Sequence, residues 1–155
     1  MSNYPGKGLV AVLKTSPDTV FEDIEKLMKL AGVENALPKG ITTGLKINIS
    51  WQTWYPACSS TPWQLEGVIR ALKKFGYHDL VGIHNDTVVV DTSVGEVNNK
   101  HKYVTDQYNI PCTYLYEDQF EWIEYKPKQH SFLVWDKVYP DGVLSPKMLV
   151  VKNIE

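Results

Sequence analysis

Short apolar runs alternate along this chain with amphipathic segments, and that alternation narrows the possible folds more than any other feature. Leu9-Val10-Ala11-Val12-Leu13 carries no polar alternation, so residues 9–14 are expected to form a central strand buried on both faces. Ser16-Pro17 and the overlapping Thr19-x-x-Glu22 then signal a helix start. Val20, Phe21, Ile24, Leu27, Met28 and Ala31 give that helix an apolar stripe for one sheet face, and Gly32 is its left-handed stop.

Residues 44–50 read as the next strand, with Leu45, Ile47 and Ile49 on one side and Lys46, Asn48 and Ser50 on the other. The clearest local signal follows. Thr61 is an N-cap, Pro62 fits the first helical position and Gln64 closes a capping box. Trp63, Leu65, Val68, Ile69, Leu72 and Phe75 then form a stripe, Lys73 and Lys74 suit the negative helix end, and Gly76 ends it.

Leu80-Val81-Gly82-Ile83 is the next parallel strand, with Val88-Val89-Val90 as a short extension or loop strand. Residues 98–108 read as a polar helix carrying Tyr103, Val104 and Tyr108 inward, and residues 111–116 as a fourth strand. From residue 117 the parallel rhythm stops. Residues 132–135 and 137–139 suggest an antiparallel hairpin, and Met148-Leu149-Val150-Val151 a last buried strand. The expected fold is one α/β domain over residues 1–155, a mostly parallel, Rossmann-like, three-layer sheet with an antiparallel hairpin near the C-terminus. A buried-type strand followed by almost no chain points to an incomplete sheet, finished by another chain or by a missing C-terminal part.

A formal net charge of −2 and a pI near 6.1 offer no general attraction for nucleic acid or anionic lipid. No apolar run approaches a membrane span, and Met1-Ser2-Asn3-Tyr4-Pro5-Gly6 lacks the build of a signal peptide, so a cytoplasmic location is expected. Cys58 and Cys112 lack CxxC spacing and cannot make a zinc knuckle or a cluster loop by themselves. GxGxxG, GxxxxGK[ST], GxSxG and HExxH are absent.

Ligands of open parallel sheets bind beyond the carboxyl ends of the strands, which ranks the remaining polar residues. His84 with Asp86 carries the donors for a base and its orienter, or for two metal ligands, although Asn85-Asp86-Thr87 is also good turn chemistry. Ser59-Ser60-Thr61 at a helix start suits an anion, with Lys46 and Asn48 nearby, although capping alone accounts for Thr61. Trp51, Trp54 and Tyr55 suit stacking on a planar small molecule, or covering the sheet's end, or meeting another chain. Cys58 beside two serines is a nucleophile candidate with no base in view.

The order of Lys46-x-Asn48, Ser60-Thr61-Pro62, Val68-Ile69-Arg70-Ala71-Leu72, Phe75-Gly76, the strand at Leu80 and Tyr108-Asn109-Ile110-Pro111 resembles the family catalogued as domain of unknown function 362. Residues 144–153 resemble the strand before that family's distinctive Pro-x-x-Lys-x-His segment. The resemblance implies the N-terminal part of a longer protein and a small-molecule or redox-associated enzyme, with carry-over limited to Lys46, Asn48, Thr61, Pro62 and Asp86. Some members carry iron–sulfur modules, which enter here by family association only. Ile47 stands where the family often has proline, and His84-Asn85-Asp86 replaces a more glycine-rich acidic turn. The competing expectation is a noncatalytic assembly module built on Trp51, Trp54 and Tyr55 with Phe120-Glu121-Trp122.

Overall fold

A computed structural model of the chain describes residues 8–55, 57–85, 89–115, 122–125 and 148–151. The chain divides between Tyr116 and Glu117 into two compact units. In the first, β1 (Thr43–Lys46), β2 (Leu80–His84) and β3 (Cys112–Tyr114) form an all-parallel sheet in the order β1-β2-β3. Thr43 lies opposite Leu80, Gly82 opposite Cys112 and His84 opposite Tyr114. The described helices are α1 (Val20–Leu30), α2 (Val33–Ala36), α3 (Pro62–Lys74), α4 (Thr92–Asn98) and α5 (His101–Gln107). None is long and apolar enough to cross a membrane.

Helix α3 forms where its local signals direct. The Thr61 hydroxyl accepts from the Gln64 amide while the Gln64 side chain accepts from the Thr61 amide, so two otherwise orphaned N–H groups are satisfied. Its apolar stripe supplies Leu65, Ile69, Ala71 and Leu72 to a core shared with Ile47, Phe75, Tyr77, Leu80, Val104 and Ile110. Strand β2 alternates, with Leu80, Gly82 and His84 buried and Val81 and Ile83 half-buried. Gly76 takes φ +91° after the helix, a backbone that a side chain would strain.

Several expectations need correction. Residues 9–14 form no strand: Leu9, Val10 and Val12 are 82%, 85% and 81% exposed. An apolar run becomes a buried strand only where neighbouring strands accept its backbone and its side chains, and the described sheet has no strand beyond β1. Helix α1 packs on α3 instead of on the sheet face expected for it. The two helices approach closely because Gly67 leaves room for Ile24, which a Cβ at position 67 would overlap. Lys74 Nζ meets Glu25 Oε2 at 2.7 Å and the Arg70 guanidinium lies over the Phe21 ring at the margin of this contact.

The helix expected over residues 98–108 is α5, which begins only at His101; a separate helix not expected from the sequence, α4, ends at Asn98, and Lys100 in the left-handed region (φ 65°) lies between them. Tyr103, expected inward, is 73% exposed, whereas Val104 is buried. The second strand is shorter than expected, although Ile47 continues the ladder by donating to Ile83 O at 3.2 Å.

In the second unit, β4 (Trp122–Tyr125) pairs antiparallel with β5 (Met148–Val151). The expected hairpin at residues 132–135 and 137–139 lies outside the described residues. The described antiparallel pair joins segments far apart in sequence, and Met148–Val151 belongs to that pair and not to the parallel sheet.

Candidate functional site

The carboxyl end of the central strand carries His84, whose ring is 2% exposed and stacked on Tyr114, its register partner on β3, with ring centroids 5.6 Å apart. Its Nε2 has no hydrogen-bond partner. Glu96 Oε2 stands 3.7 Å away, too far for a hydrogen bond. Helix α4 brings Glu96 there; the residue is 6% exposed, and its other oxygen, Oε1, accepts from Tyr114 Oη at 2.9 Å. Cys112 lies two residues before Tyr114 and opposite Gly82, so its side chain shares the face of β3 from which Tyr114 reaches Glu96. His84, Glu96 and Cys112 each present a ligand-type atom, all within 4.8 Å of one another.

Burial pulls the His84 pKa down to about 4, with the positive charge of His101 and of Lys46 adding to the effect. His84 is therefore a neutral imidazole at pH 7, with a lone pair on one nitrogen. Burial also pushes the Cys112 thiol up, and the Glu96 charge reinforces this, while a contact with the Thr105 hydroxyl acts the other way. The cluster thus holds a neutral imidazole, a thiol and a carboxyl group locked by a tyrosine. A buried, unpartnered ring nitrogen costs about 1–3 kcal/mol, which makes Nε2 an unusual feature to leave unused.

The other expected site residues form a separate group at the loop after β1. Asn48 N donates to Ser60 Oγ at 3.2 Å, Ser60 N donates to Asn48 O at 3.0 Å and Ser50 N donates to Ser59 Oγ at 3.1 Å. The two serine hydroxyls expected to face an anion thus accept from the continuation of β1. Thr61 caps α3, next to Ser60. Lys46 is exposed and donates to Ile47 O at 3.1 Å. His101 connects this loop to the cluster's side of the sheet: its Nε2 donates to Ser60 O, which leaves Nδ1 as a buried acceptor without a partner. Asp86, expected as the orienter of His84, lies outside the described residues.

Trp51, Trp54 and Tyr55 are about half exposed. Their loop is tied down behind them, with Asn99 Nδ2 donating to Trp51 O at 2.9 Å, Asn98 Nδ2 to Gln52 O at 2.8 Å and Asp91 N to Gln52 Oε1 at 2.9 Å. Cys58 is exposed. An iron–sulfur cluster of the usual kind takes four thiolates, and two cysteines do not fit one.

Sequence reasoning singled out His84 but missed Glu96, Cys112 and Tyr114 as its neighbours. Cys112-x-Tyr114 on a strand was the available signal, because residues two apart share a face. Asp91 was another: it caps α4 by accepting from Val94 N at 3.1 Å, and that start sets where Glu96 faces. Comparison of the chain with protein-family models, with curated proteins and with solved structures finds no match.

Proposed function

We propose that the parallel unit is the ligand-binding part of an enzyme-like, Rossmann-like α/β domain related to domain of unknown function 362. In this reading a small molecule sits at the carboxyl ends of β1 and β2, and the neutral His84 accepts a hydrogen bond from it. The observation that carries it is the neutral, buried His84, whose unpartnered Nε2 stands 3.7 Å from Glu96 at the end of the central strand. Lys46 and Asn48, at the end of β1, are the groups for the anionic part of such a ligand. The resemblance in sequence order supports the same assignment by analogy.

The test is a screen of the chelator-treated full chain against small carboxylates and phosphates, read by thermal shift and by the NMR signals of His84 and Tyr114. A ligand should stabilise the wild type and lose its effect in Lys46→Ala or His84→Asn. If no compound moves those two residues' signals, the reading is wrong.

The half exposure of Trp51, Trp54 and Tyr55 favours a second reading, a noncatalytic module whose aromatic loop meets a partner chain. Analytical ultracentrifugation of the wild type and of a Trp51→Ser/Trp54→Ser variant distinguishes it. A concentration-independent monomer in both removes self-association as that loop's role.

A further inference from the structure

We propose that His84 Nε2, a Glu96 carboxylate oxygen and Cys112 Sγ bind one divalent ion of the zinc class. The ion would take the same His84 Nε2 lone pair that the small-molecule reading uses, so metal-loaded and metal-free protein separate the two readings. Three observations point to it together. The three donor atoms lie within 4.8 Å of one another, on the neighbouring strands β2 and β3 and on helix α4. His84 is 98% buried by its 2% exposure, and its Nε2 is aimed into the cluster with no hydrogen-bond partner. Glu96 Oε2 stands 3.7 Å from it, a separation that suits neither a hydrogen bond nor an apolar contact.

Zinc–nitrogen and zinc–oxygen bonds of about 2.0–2.2 Å and a zinc–sulfur bond of about 2.3 Å put the donors of a tetrahedral site roughly 3.3–3.7 Å apart. The His84 to Glu96 distance already has that value, and the longest separation needs only a side-chain adjustment of about 1 Å to reach it. The donor set of imidazole, carboxylate and thiolate matches a borderline-soft ion, and not magnesium or calcium, which take oxygens.

The surroundings fit the same purpose. Tyr114 Oη donates to Glu96 Oε1, which fixes the carboxylate and turns Oε2 toward His84. The same tyrosine ring stacks on the imidazole and sets its plane. Gly82, opposite Cys112, leaves open the space that Sγ occupies. On binding, the Cys112 thiol gives its proton to solvent as the sulfur–metal bond forms, while His84, already neutral, brings its lone pair directly. Three protein donors leave a fourth coordination position for water or another ligand.

The experiment titrates the chelator-treated full chain with Co²⁺ and then displaces it with Zn²⁺. The expected result is one equivalent bound, with a thiolate-to-cobalt charge-transfer band and the intense visible bands of a tetrahedral ion. Cys112→Ser should abolish the charge-transfer band, and His84→Asn and Glu96→Gln should each weaken binding at least tenfold. Tyr114→Phe should weaken it about 10–100-fold while keeping the spectrum. Cys58→Ser should change nothing. Because buried substitutions can prevent folding, ¹¹³Cd NMR of the wild type reports the donor set without any variant; a shift typical of one sulfur with nitrogen and oxygen is expected. Only the hydrated-cobalt spectrum at millimolar protein, a cadmium signal typical of oxygen donors alone, or loss of the thiolate band in Cys58→Ser overturns the proposal. Ligand screening in chelator-treated protein tests the small-molecule reading separately, so either can fail alone.

Discussion

Gly82 and Cys112 face each other across the parallel pair of β2 and β3, and a Cβ built on Gly82 would stand 2.7 Å from Cys112 Sγ. Ile47 Cδ1 would lie 3.3 Å away on the other side, so the added methyl has nowhere to go without moving a packed neighbour. The glycine is therefore a steric requirement of the sulfur beside it. Gly82→Ala should destabilise the unit by about 1–3 kcal/mol, as overpacked cores do. Gly82→Ala/Cys112→Ala should recover part of that loss, because the second substitution removes the atom that clashes. Urea unfolding of the two single variants and the double variant measures the coupling; strictly additive costs would show that Sγ is not what the methyl meets.

The capping box of α3 gives a simpler prediction. Thr61→Ala removes the acceptor for Gln64 N and should cost about 1 kcal/mol, whereas Thr61→Ser keeps it and should be close to neutral. The comparison is by denaturant midpoint at unchanged slope. An equal loss in both variants would mean that the threonine methyl, not the hydroxyl, is what matters.

The same helix explains how much was legible beforehand. Thr61, Pro62, Gln64 and Gly76 act through neighbours three or four residues away, so the sequence carries their whole context, and α3 and β2 lie where their residues predict. Leu9-Val10-Ala11-Val12-Leu13 failed as a strand because burial depends on partners that a local run cannot specify. Glu96 was invisible for a related reason. It reads as one more charge in a polar stretch until the turn at Asp91 and the register of His84 with Tyr114 bring it beside the imidazole. Ser60 was legible as polar but not as occupied, since its hydroxyl and its carbonyl are taken by Asn48 and His101, twelve and forty-one residues away.

Acid should weaken this unit before its carboxylates protonate. Burial lowers the pKa of His101 below its ordinary 6.5, and the contact with Ser60 O only partly opposes that. His84, pulled to about 4, acts in the same sense in chelator-treated protein. Between pH 6.5 and the folded values the unfolded chain binds protons that the folded one refuses. Stability is therefore fully present above about pH 6.5 and falls on acidification, by up to about 1.4 kcal/mol per pH unit for each group. Unfolding free energies from pH 7.5 to 4.5 should show this slope, and His101→Gln should flatten it. A flat profile in the wild type would mean that both rings titrate at ordinary values.

Lys100 separates α4 from α5, and its backbone carries a strain that can be relieved. At φ 65° and ψ 13° it occupies the left-handed region, which costs a residue with a Cβ about 1–2 kcal/mol more than glycine, while its side chain stays exposed. The turn is worth keeping, because it follows Asn99, whose amide holds Trp51 O and Gly95 O, and precedes His101, which reaches Ser60 O. Lys100→Gly preserves that turn and removes the Cβ, at the cost of a freer unfolded chain. The net expectation is a gain of about 0.5–1 kcal/mol, seen as a higher urea midpoint at unchanged slope. Lys100→Pro should do the reverse by more than 2 kcal/mol, roughly, because proline cannot adopt a positive φ and would lose the N–H that donates to Val97 O. If glycine instead destabilises the protein, the lysine's stem contributes packing greater than the strain it carries, and the break between the helices is fixed by its neighbours alone.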